Sequence, residues 1–445
     1  MRRARGVPRS AGRRTRTREG YVNRAFHILA MALLSTASMD ALAGEPGALD
    51  LDGLVDEAVR NEPGLRRMRA LSEAAGEVPS QVASLPDPVV MLGASNFRLD
   101  DPGLGTSPMT GVVVGVAQLV PSPIKLVRRK ELAWSAHRLA EAGVLQASTA
   151  VKLDVEQKYW ALWLSQESER IFQERTEILD DLAAVVTARF SVGQGAQQDA
   201  LQVQAAQSQM TALLAERSQE RVTALRALNE SVGRPPGAES GSASAPPEPE
   251  AVDADALRAR LIGNPDVVAA DARVDVAEAA VSEARAGLAP DFAVGVDYRV
   301  RGVVPNDLSR GADMISGSLR VIVPLWAGTK QGARVREQRA RLIAAQAGRE
   351  DVELLALRKL ESVLDVLTRL DAEIDIQRAQ VLPAADAALA SSIDDYSEGR
   401  VAFVSVLQNW SSTLQAELTL HQLRAHRAQS LSLVEALVGD IQETP

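Results

Sequence analysis

Two segments of this chain, 206 residues apart, carry the same pattern of turn and helix residues. Gly193 and Gly399 each follow an aromatic residue by three positions, and each precedes a further glycine, Gly233 or Gly439, by 40 residues. The residues between the paired glycines are rich in Ala, Gln, Leu, Glu and Arg, which favour a helix. The constant offset predicts a tandem duplication in which each copy folds as the same supersecondary unit.

Weaker similarities extend this predicted duplication upstream. Pro63 and Pro265 are 202 residues apart, and Pro121 and Pro324 are 203 apart, so we expect small insertions in the second copy. Each copy is predicted to hold a short helix, two strands, a very long helix, a tight turn and a long helix. We expect a signal peptide at 1–43, a first repeat at 44–233 with a β-hairpin at about 89–120, a linker at 234–255, a second repeat at 256–440 with a β-hairpin at about 291–323, and a tail at 441–445.

The first 43 residues have the composition of an export signal. They contain nine Arg, two acids and an apolar run, and they end in Ala41-Leu42-Ala43, which has the small-x-small form of a cleavage site. Without them the formal charge is −16, which disfavours nucleic-acid binding. The chain has no cysteine, so disulfides, thiolate metal sites and a lipid-accepting Cys are excluded.

Alternation of apolar and small or polar residues predicts membrane strands. Four strands of about 9–11 residues have the length that crosses a bilayer at a tilt, although a soluble four-stranded sheet would show the same alternation. Four strands cannot close a barrel, which needs about eight or more, so several chains must share one. The residues predicted to face lipid are Phe292, Val294, Val296, Tyr298, Ile315, Leu319 and Val321.

Two stretches, from Lys125 to Arg189 and from Lys330 to Asp395, are predicted to form helices about 100 Å long. Pro383 removes one backbone hydrogen bond and is expected to bend the second helix. Gly193 and Gly399 are expected to adopt the left-handed conformation that ends each helix and starts its antiparallel partner.

Several short motifs occur in order along the chain, and together they resemble the TolC-type outer-membrane efflux proteins over essentially all of the mature part. The motifs are Asn61-Glu62-Pro63 and Asn264-Pro265, Leu85-Pro86-Asp87-Pro88, Gln118-Leu119-Val120-Pro121, Val323-Pro324-Leu325-Trp326-Ala327-Gly328, and the two Phe/Tyr-x-x-Gly turns.

The resemblance implies a mainly α fold with a small membrane β part. It implies a homotrimer whose chains each supply four strands to one twelve-stranded barrel, continuous with a hollow α-helical tunnel. It further implies passive export of cargo from an inner-membrane pump, of RND type, and a periplasmic adaptor, with no catalysis and no cofactor. Ser107-Pro108-Met109-Thr110 and the segment 118–125 resemble the heavy-metal-cation export branch, but Ile124 stands where that branch commonly has glycine.

By the same resemblance, the two glycine turns lie at the periplasmic tip, where Gly193 and Gly399 shape the adaptor contact. Asp199 matches the family's acidic position after the first turn; a helix-start carboxylate stabilised by the helix dipole is the alternative. The second copy has Ser405 and Gln408 there. Further candidates for the tip or gate are Asp394, Asp395, Tyr396 and Arg400.

Two other classes of protein remain open at this point. A periplasmic adaptor would also be exported and rich in coiled coil, but adaptors usually have one helical hairpin rather than a duplicated pair. A soluble structural coiled-coil protein would leave the alternating strands without a purpose. His421 and His426 are five residues apart and do not share one helix face well enough to predict a metal site.

Overall fold

The computed structural model of the chain describes residues 47–238, 241–249, 252–308 and 310–439. The predicted signal peptide at 1–43 and the tail at 441–445 lie outside the described residues. Contacts divide the chain into two units, one comprising Met1–Ala48 with Ser240–Ser242 and the other Leu49–Glu239 with Ala243–Pro445. The described residues of the first unit contain no helix or strand, and every element below belongs to the second unit.

The first repeat starts with two helices and continues with a β-hairpin and a pair of long helices. Proline at an early helical position begins two of these helices, because its missing N–H would have had no partner there. The elements are α1 (Leu51–Asn61), α2 (Pro63–Ala83), β1 (Val89–Ser95), β2 (Gly111–Val120), α3 (Pro123–Ser191) and α4 (Gln197–Val232).

The second repeat has the same order of elements, with added irregular turns. A 3₁₀ turn at Leu261–Gly263 follows its first helix, and π turns at Ala327–Gln331 and Gln377–Val381 precede two of the later helices. The elements are α5 (Ala254–Arg260), α6 (Pro265–Ala286), β3 (Asp291–Arg301), β4 (Met314–Ile322), α7 (Gly332–Ile376), α8 (Leu382–Ser397) and α9 (Phe403–Val438).

The four strands form one antiparallel sheet in the order β1-β2-β3-β4, so the two repeats meet at the β2–β3 pair. Val116 is the register partner of both Val90 and Val296, and Val296 is in turn paired with Gly317. Residues directly opposite each other project to the same face. The valines of three neighbouring strands therefore share one face of the sheet.

The helices pack through separate apolar clusters along their length. The largest cluster combines α3 and α4 with α8 and α9, so it joins the two repeats; Ile171, Leu179, Val186, Phe403 and Val406 are each fully buried in it. Two smaller clusters surround Tyr159 and Leu360 respectively. None of the helices in the described part of the chain is both long enough and apolar enough to cross a membrane.

The connector between the repeats is held against the helices by hydrogen bonds, although its polar composition suggests a free linker. The Ala243 N–H donates to the Gln166 side chain at 2.9 Å, and the Ser244 N–H donates to the Tyr159 hydroxyl at 2.8 Å. Further along, Glu248 forms an ion pair with Arg378 at 2.6 Å. A Pro- and Ser-rich segment can thus be ordered where neighbouring side chains satisfy its backbone.

Pro383 lies in the first turn of α8, directly after the π turn at Gln377–Val381. Proline in a helix removes a hydrogen bond and crowds the carbonyl four residues earlier, and a π turn widens the backbone at that point. The structure thus has a π turn directly before Pro383, and the bend expected from Pro383 stays a prediction.

Candidate functional site at the two helix turns

Both long helical hairpins reverse at a glycine with the same backbone geometry. Gly193 and Gly399 have φ of +76° and +77°, in the left-handed region that glycine adopts without a steric penalty. At the first turn the Gly193 N–H donates to Phe190 at 3.0 Å and the Gln194 N–H to Arg189 at 2.9 Å. These two bonds satisfy carbonyl groups that the end of the helix leaves open.

The second turn repeats these bonds. The Gly399 N–H donates to Tyr396 at 2.9 Å, and the Arg400 N–H donates to Asp395 at 2.8 Å. The duplicated pattern of the sequence thus corresponds to a duplicated backbone motif. The chemistry of the two turns differs only in their side chains.

Arg189 of the first turn reaches across to the second turn. Its Nη1 donates to the Tyr396 carbonyl at 2.9 Å and also to the Ser397 carbonyl, while its Nη2 donates to Gln194 in its own turn at 3.3 Å. The guanidinium also lies 5.0 Å from the centre of the Tyr396 ring. Since Ser397 is the last residue of α8, the cation of Arg189 complements the negative end of that helix.

Tyr396 of the second turn in turn contacts the hairpin of the first turn. Its hydroxyl donates to Asp199 Oδ2 at 3.2 Å, and its ring packs 5.3 Å from that of Phe403. Only 5% of Tyr396 is exposed, so its hydroxyl depends on this carboxylate for a partner. Burial, followed by the nearby charge of Asp199, raises the pKa of the Tyr396 hydroxyl above its ordinary value of 10.0, although Arg189 opposes this.

The remaining acidic candidates lie on the outside of the second turn. Arg400 pairs within its own turn, with Asp395 at 2.6 Å and with Glu398. Asp394 is exposed, and its backbone carbonyl accepts the Ser397 hydroxyl at 2.7 Å. The structure therefore brings Asp199 and Tyr396 together and places Asp394, Asp395 and Arg400 in a separate, solvated group.

All of the predicted lipid-facing residues lie on one exposed face of the sheet. On β3 the burial alternates strictly, with the apolar residues exposed and Ala293, Gly295, Asp297 and Arg299 half-buried on the opposite face. The exposed apolar set is Phe292, Val294, Val296, Tyr298, Ile315, Leu319 and Val321.

Residues 256–440 match the family model described as outer membrane efflux protein. The second repeat therefore carries the pattern of the outer membrane efflux protein family. This match covers the second repeat, and the first repeat has the same order of elements.

Solved structures extend the similarity to both repeats. The outer-membrane channel OprN superposes with a TM-score of 0.71 at 20% identity, over 87% of this chain and 89% of the other. VceC from Vibrio cholerae superposes with a TM-score of 0.72 at 18% identity, over 88% and 97%. CmeC from Campylobacter jejuni superposes with a TM-score of 0.70 at 15% identity, over 88% and 87%. At these identities the superpositions show the fold; no curated protein sequence matches the chain.

Arg189 and Phe403 are residues of the two turns that the sequence patterns did not identify. Both positions differ between the repeats: Arg189 corresponds to Asp395, and Phe403 corresponds to Gln197, at the same offset of 206 residues. A reversal of charge and a polar-to-aromatic change within an otherwise repeated turn are the signals that would have identified them.

Proposed function

We propose that this chain is the outer-membrane channel of a tripartite efflux system. In this proposal it passively conducts substrates, delivered by an inner-membrane pump and a periplasmic adaptor, across the periplasm and the outer membrane. The supporting observation is one sheet with an exposed apolar face attached to two helical hairpins, of which α3 alone has 69 residues and is about 100 Å long. This combination provides both a membrane part and a long periplasmic part.

The sheet further supports assembly as a homotrimer. In the described chain β1 and β4 are the two outer strands of the sheet, and each therefore has one edge without a partner strand. An unpaired strand edge is not tolerated in lipid, because no water is present to satisfy its backbone groups. Three copies would pool twelve strands into one closed barrel, with the apolar face toward lipid and the face of Asp297 and Arg299 toward water. The helices of the three copies would continue it as an α-helical tunnel.

We assign the two glycine turns to the periplasmic tip, where Gly193 and Gly399 shape the contact with the adaptor. Asp199, Tyr396, Asp394, Asp395 and Arg400 are the candidate gate residues there. The contacts of Arg189 and Asp199 with Tyr396 hold the two hairpins of one chain together. Separating the hairpins would break these contacts, so they favour the closed state.

The partners that we propose are a periplasmic adaptor, an inner-membrane pump of RND type and the lipid of the outer membrane. As a conduit the chain would perform no chemistry on its cargo. The division of the chain into a signal peptide, two repeats, a linker and a tail also belongs to this proposal, with the boundaries predicted above.

Single-channel recording of the purified protein in a planar bilayer tests the channel. We expect Asp199→Asn to raise the conductance or to remove block by divalent cations, because a neutral side chain at the entrance neither attracts cations nor holds the Tyr396 hydroxyl as strongly. Asp181→Asn is the matched control, since Asp181 is an exposed carboxylate on the same hairpin and is not one of the candidate gate residues. Absence of any conductance from folded wild-type protein would contradict the proposed function.

Docking at the tip is tested separately by crosslinking to the adaptor. A β-branched residue is strained in the left-handed conformation, so we expect Gly193→Val and Gly399→Val to reduce assembly or crosslinking. Normal transport together with normal crosslinking in both variants would show that the turns do not shape the adaptor contact.

A further inference from the structure

A charged cleft lies where the strands give way to the long helices. It has a volume of about 620 Å³ and is enclosed by the start of α3, the end of α6, the π turn after β4 and the start of α7. Its charged lining residues are Lys125, Arg129, Glu283, Lys330, Arg334 and Glu337.

Positive charge exceeds negative charge in this cleft. Glu283 is shared by Arg334 at 2.8 Å and Arg129 at 4.0 Å. Glu337 already pairs with Arg341 at 2.7 Å, outside the lining. Lys330 is exposed and forms no ion pair within the described part of the chain. Lys125 pairs with Asp291 at 2.8 Å. Lys330 and part of the charge of Arg129 and Arg334 are therefore left for a ligand, although the whole chain has a formal charge of −9.

The position of these cations is unfavourable for the helices themselves. Lys125 lies in the first turn of α3, and Lys330 lies in the π turn that leads into α7. The amino end of a helix carries partial positive charge and prefers acidic residues. The ion pair with Asp291 accounts for Lys125, but helix stability does not account for Lys330. An anion in the cleft would interact favourably with Lys330 and with the helix ends.

An exposed apolar pair borders the cleft on the side of the strands. Leu325 and Trp326 are 80% and 74% exposed, and the Lys330 N–H donates to the Trp326 carbonyl at 2.9 Å. Both residues follow β4, whose Leu319 and Val321 belong to the exposed apolar face. Tryptophan concentrates at the boundary between membrane and water, where its ring contacts both.

We propose that the cleft binds the headgroup of an anionic phospholipid from the periplasmic leaflet of the outer membrane. The inference rests on the proposed function, which places the strands in that membrane. The phosphate contacts Lys330 and Arg334, and the acyl chains run along Leu325, Trp326 and the apolar face of the sheet. The apolar pair selects a lipid over a free phosphate ion, because a free ion gains nothing from exposed Leu and Trp.

Tryptophan quenching by brominated lipid tests this assignment. The wild-type protein is reconstituted in phosphatidylcholine vesicles that contain either brominated phosphatidylglycerol or the same amount of brominated phosphatidylcholine. We expect the anionic lipid to quench more strongly, with an apparent preference of roughly fivefold for each cation that contacts it. Trp326→Phe should remove most of the difference between the two lipids.

The variant Lys330→Gln with Arg334→Gln should bring the two lipids to equal quenching. Arg358→Gln is the matched control, because Arg358 is an exposed cation on the same helix α7. Raising the salt concentration should also reduce the preference in the wild-type protein, which provides a test even if the double variant fails to assemble.

Equal quenching of the wild-type protein by the two lipids would overturn the lipid site. A preference for the anionic lipid that changes neither with salt nor in the double variant would also overturn the lipid site. So would hydrogen exchange showing that a neighbouring subunit covers the cleft. Vesicles from the same preparation report the conductance. A conducting protein without lipid preference refutes the lipid site alone, whereas a folded protein without conductance refutes the proposed channel.

Discussion

The long helix of the first repeat is continuous, and its counterpart in the second repeat is interrupted. Helix α3 runs unbroken from Pro123 to Ser191, whereas the second repeat needs two π turns and two helices to reach Ser397. The offset between the repeats grows from 203 residues at Pro121 and Pro324 to 206 at the turn glycines, so the second copy has three extra residues here. A π turn holds more residues than an α turn. Two such turns accommodate part of the insertion, so that the strand end and the glycine turn of the second repeat can occupy positions equivalent to those of the first.

The two turns differ in a related way. Their backbones form the same hydrogen bonds, but the first turn contributes the charged groups Arg189 and Asp199, and the second contributes the aromatic pair Tyr396 and Phe403. The two turns therefore carry complementary side chains and contact each other. The following changes test the comparison of the two repeats, first at their turns and then at one ion pair in each, in order of decreasing expected effect.

Phe403→Ala should have the largest effect. Phe403 is fully buried against both hairpins, and truncation of a buried Phe costs about 3–5 kcal/mol of the free energy of unfolding. Its counterpart Gln197 is exposed, so Gln197→Ala should change stability by less than about 0.5 kcal/mol. Thermal unfolding of the detergent-solubilised protein measures both. Equal losses would show that the two turns are anchored alike.

Arg189→Gln should have the next largest effect. A hydrogen bond from a charged group contributes about 1.5–3 kcal/mol, and Arg189 donates one to the part-buried Tyr396 carbonyl of the second turn and another to the exposed Gln194 carbonyl of its own turn. We expect faster hydrogen exchange at both turns. Arg400→Gln is the control, because its ion pairs are exposed and contribute at most about 1 kcal/mol. Faster exchange at the first turn alone would refute the link between hairpins.

Tyr396→Phe should cost about 1 kcal/mol, the typical contribution of one hydrogen bond. Because the pKa of Tyr396 is raised in the folded protein, its contribution is complete below the unfolded value of 10.0 and is lost as pH rises through the folded pKa. The wild-type protein should therefore lose stability in alkali more steeply than the variant. Identical alkaline unfolding curves would show that the hydroxyl makes no contribution.

Glu57→Gln should have the smallest effect. Arg234 donates to Glu57 at 2.9 Å and lowers the pKa of that carboxyl below 4.5. The contribution of the pair is present above the unfolded pKa and is lost as pH falls through the folded pKa; it amounts to at most about 1 kcal/mol for a partly exposed pair. We expect the variant to show a shallower loss of stability in acid.

The second repeat offers a control for this pair. Glu361 pairs with Arg258 at 2.6 Å, but the pair is exposed, so Glu361→Gln should leave the unfolding midpoint unchanged. If Glu361→Gln changed the loss of stability in acid more than Glu57→Gln does, the expected order of the two ion pairs would be wrong.

The resemblance to outer membrane efflux proteins and the mainly helical fold could be predicted from the sequence, and both predictions are confirmed. They depend on local features: apolar alternation, helix-forming composition and glycine at the turns. The contact of lipid with the sheet and the gating role of the tip residues remain predictions. The order of the connector was not foreseen, because its hydrogen bonds come from Tyr159 and Gln166, more than 70 residues away.

The sequence by itself determined the duplicated order of elements and the left-handed glycine turns, because both depend on residues close together in the chain. Only the tertiary structure decided that Arg189 and Asp199 contact Tyr396, that the connector is bound, and that basic residues of both repeats meet in one cleft. These contacts join residues that are up to 207 positions apart. Local propensities do not determine which distant side chains the packing of helices brings together.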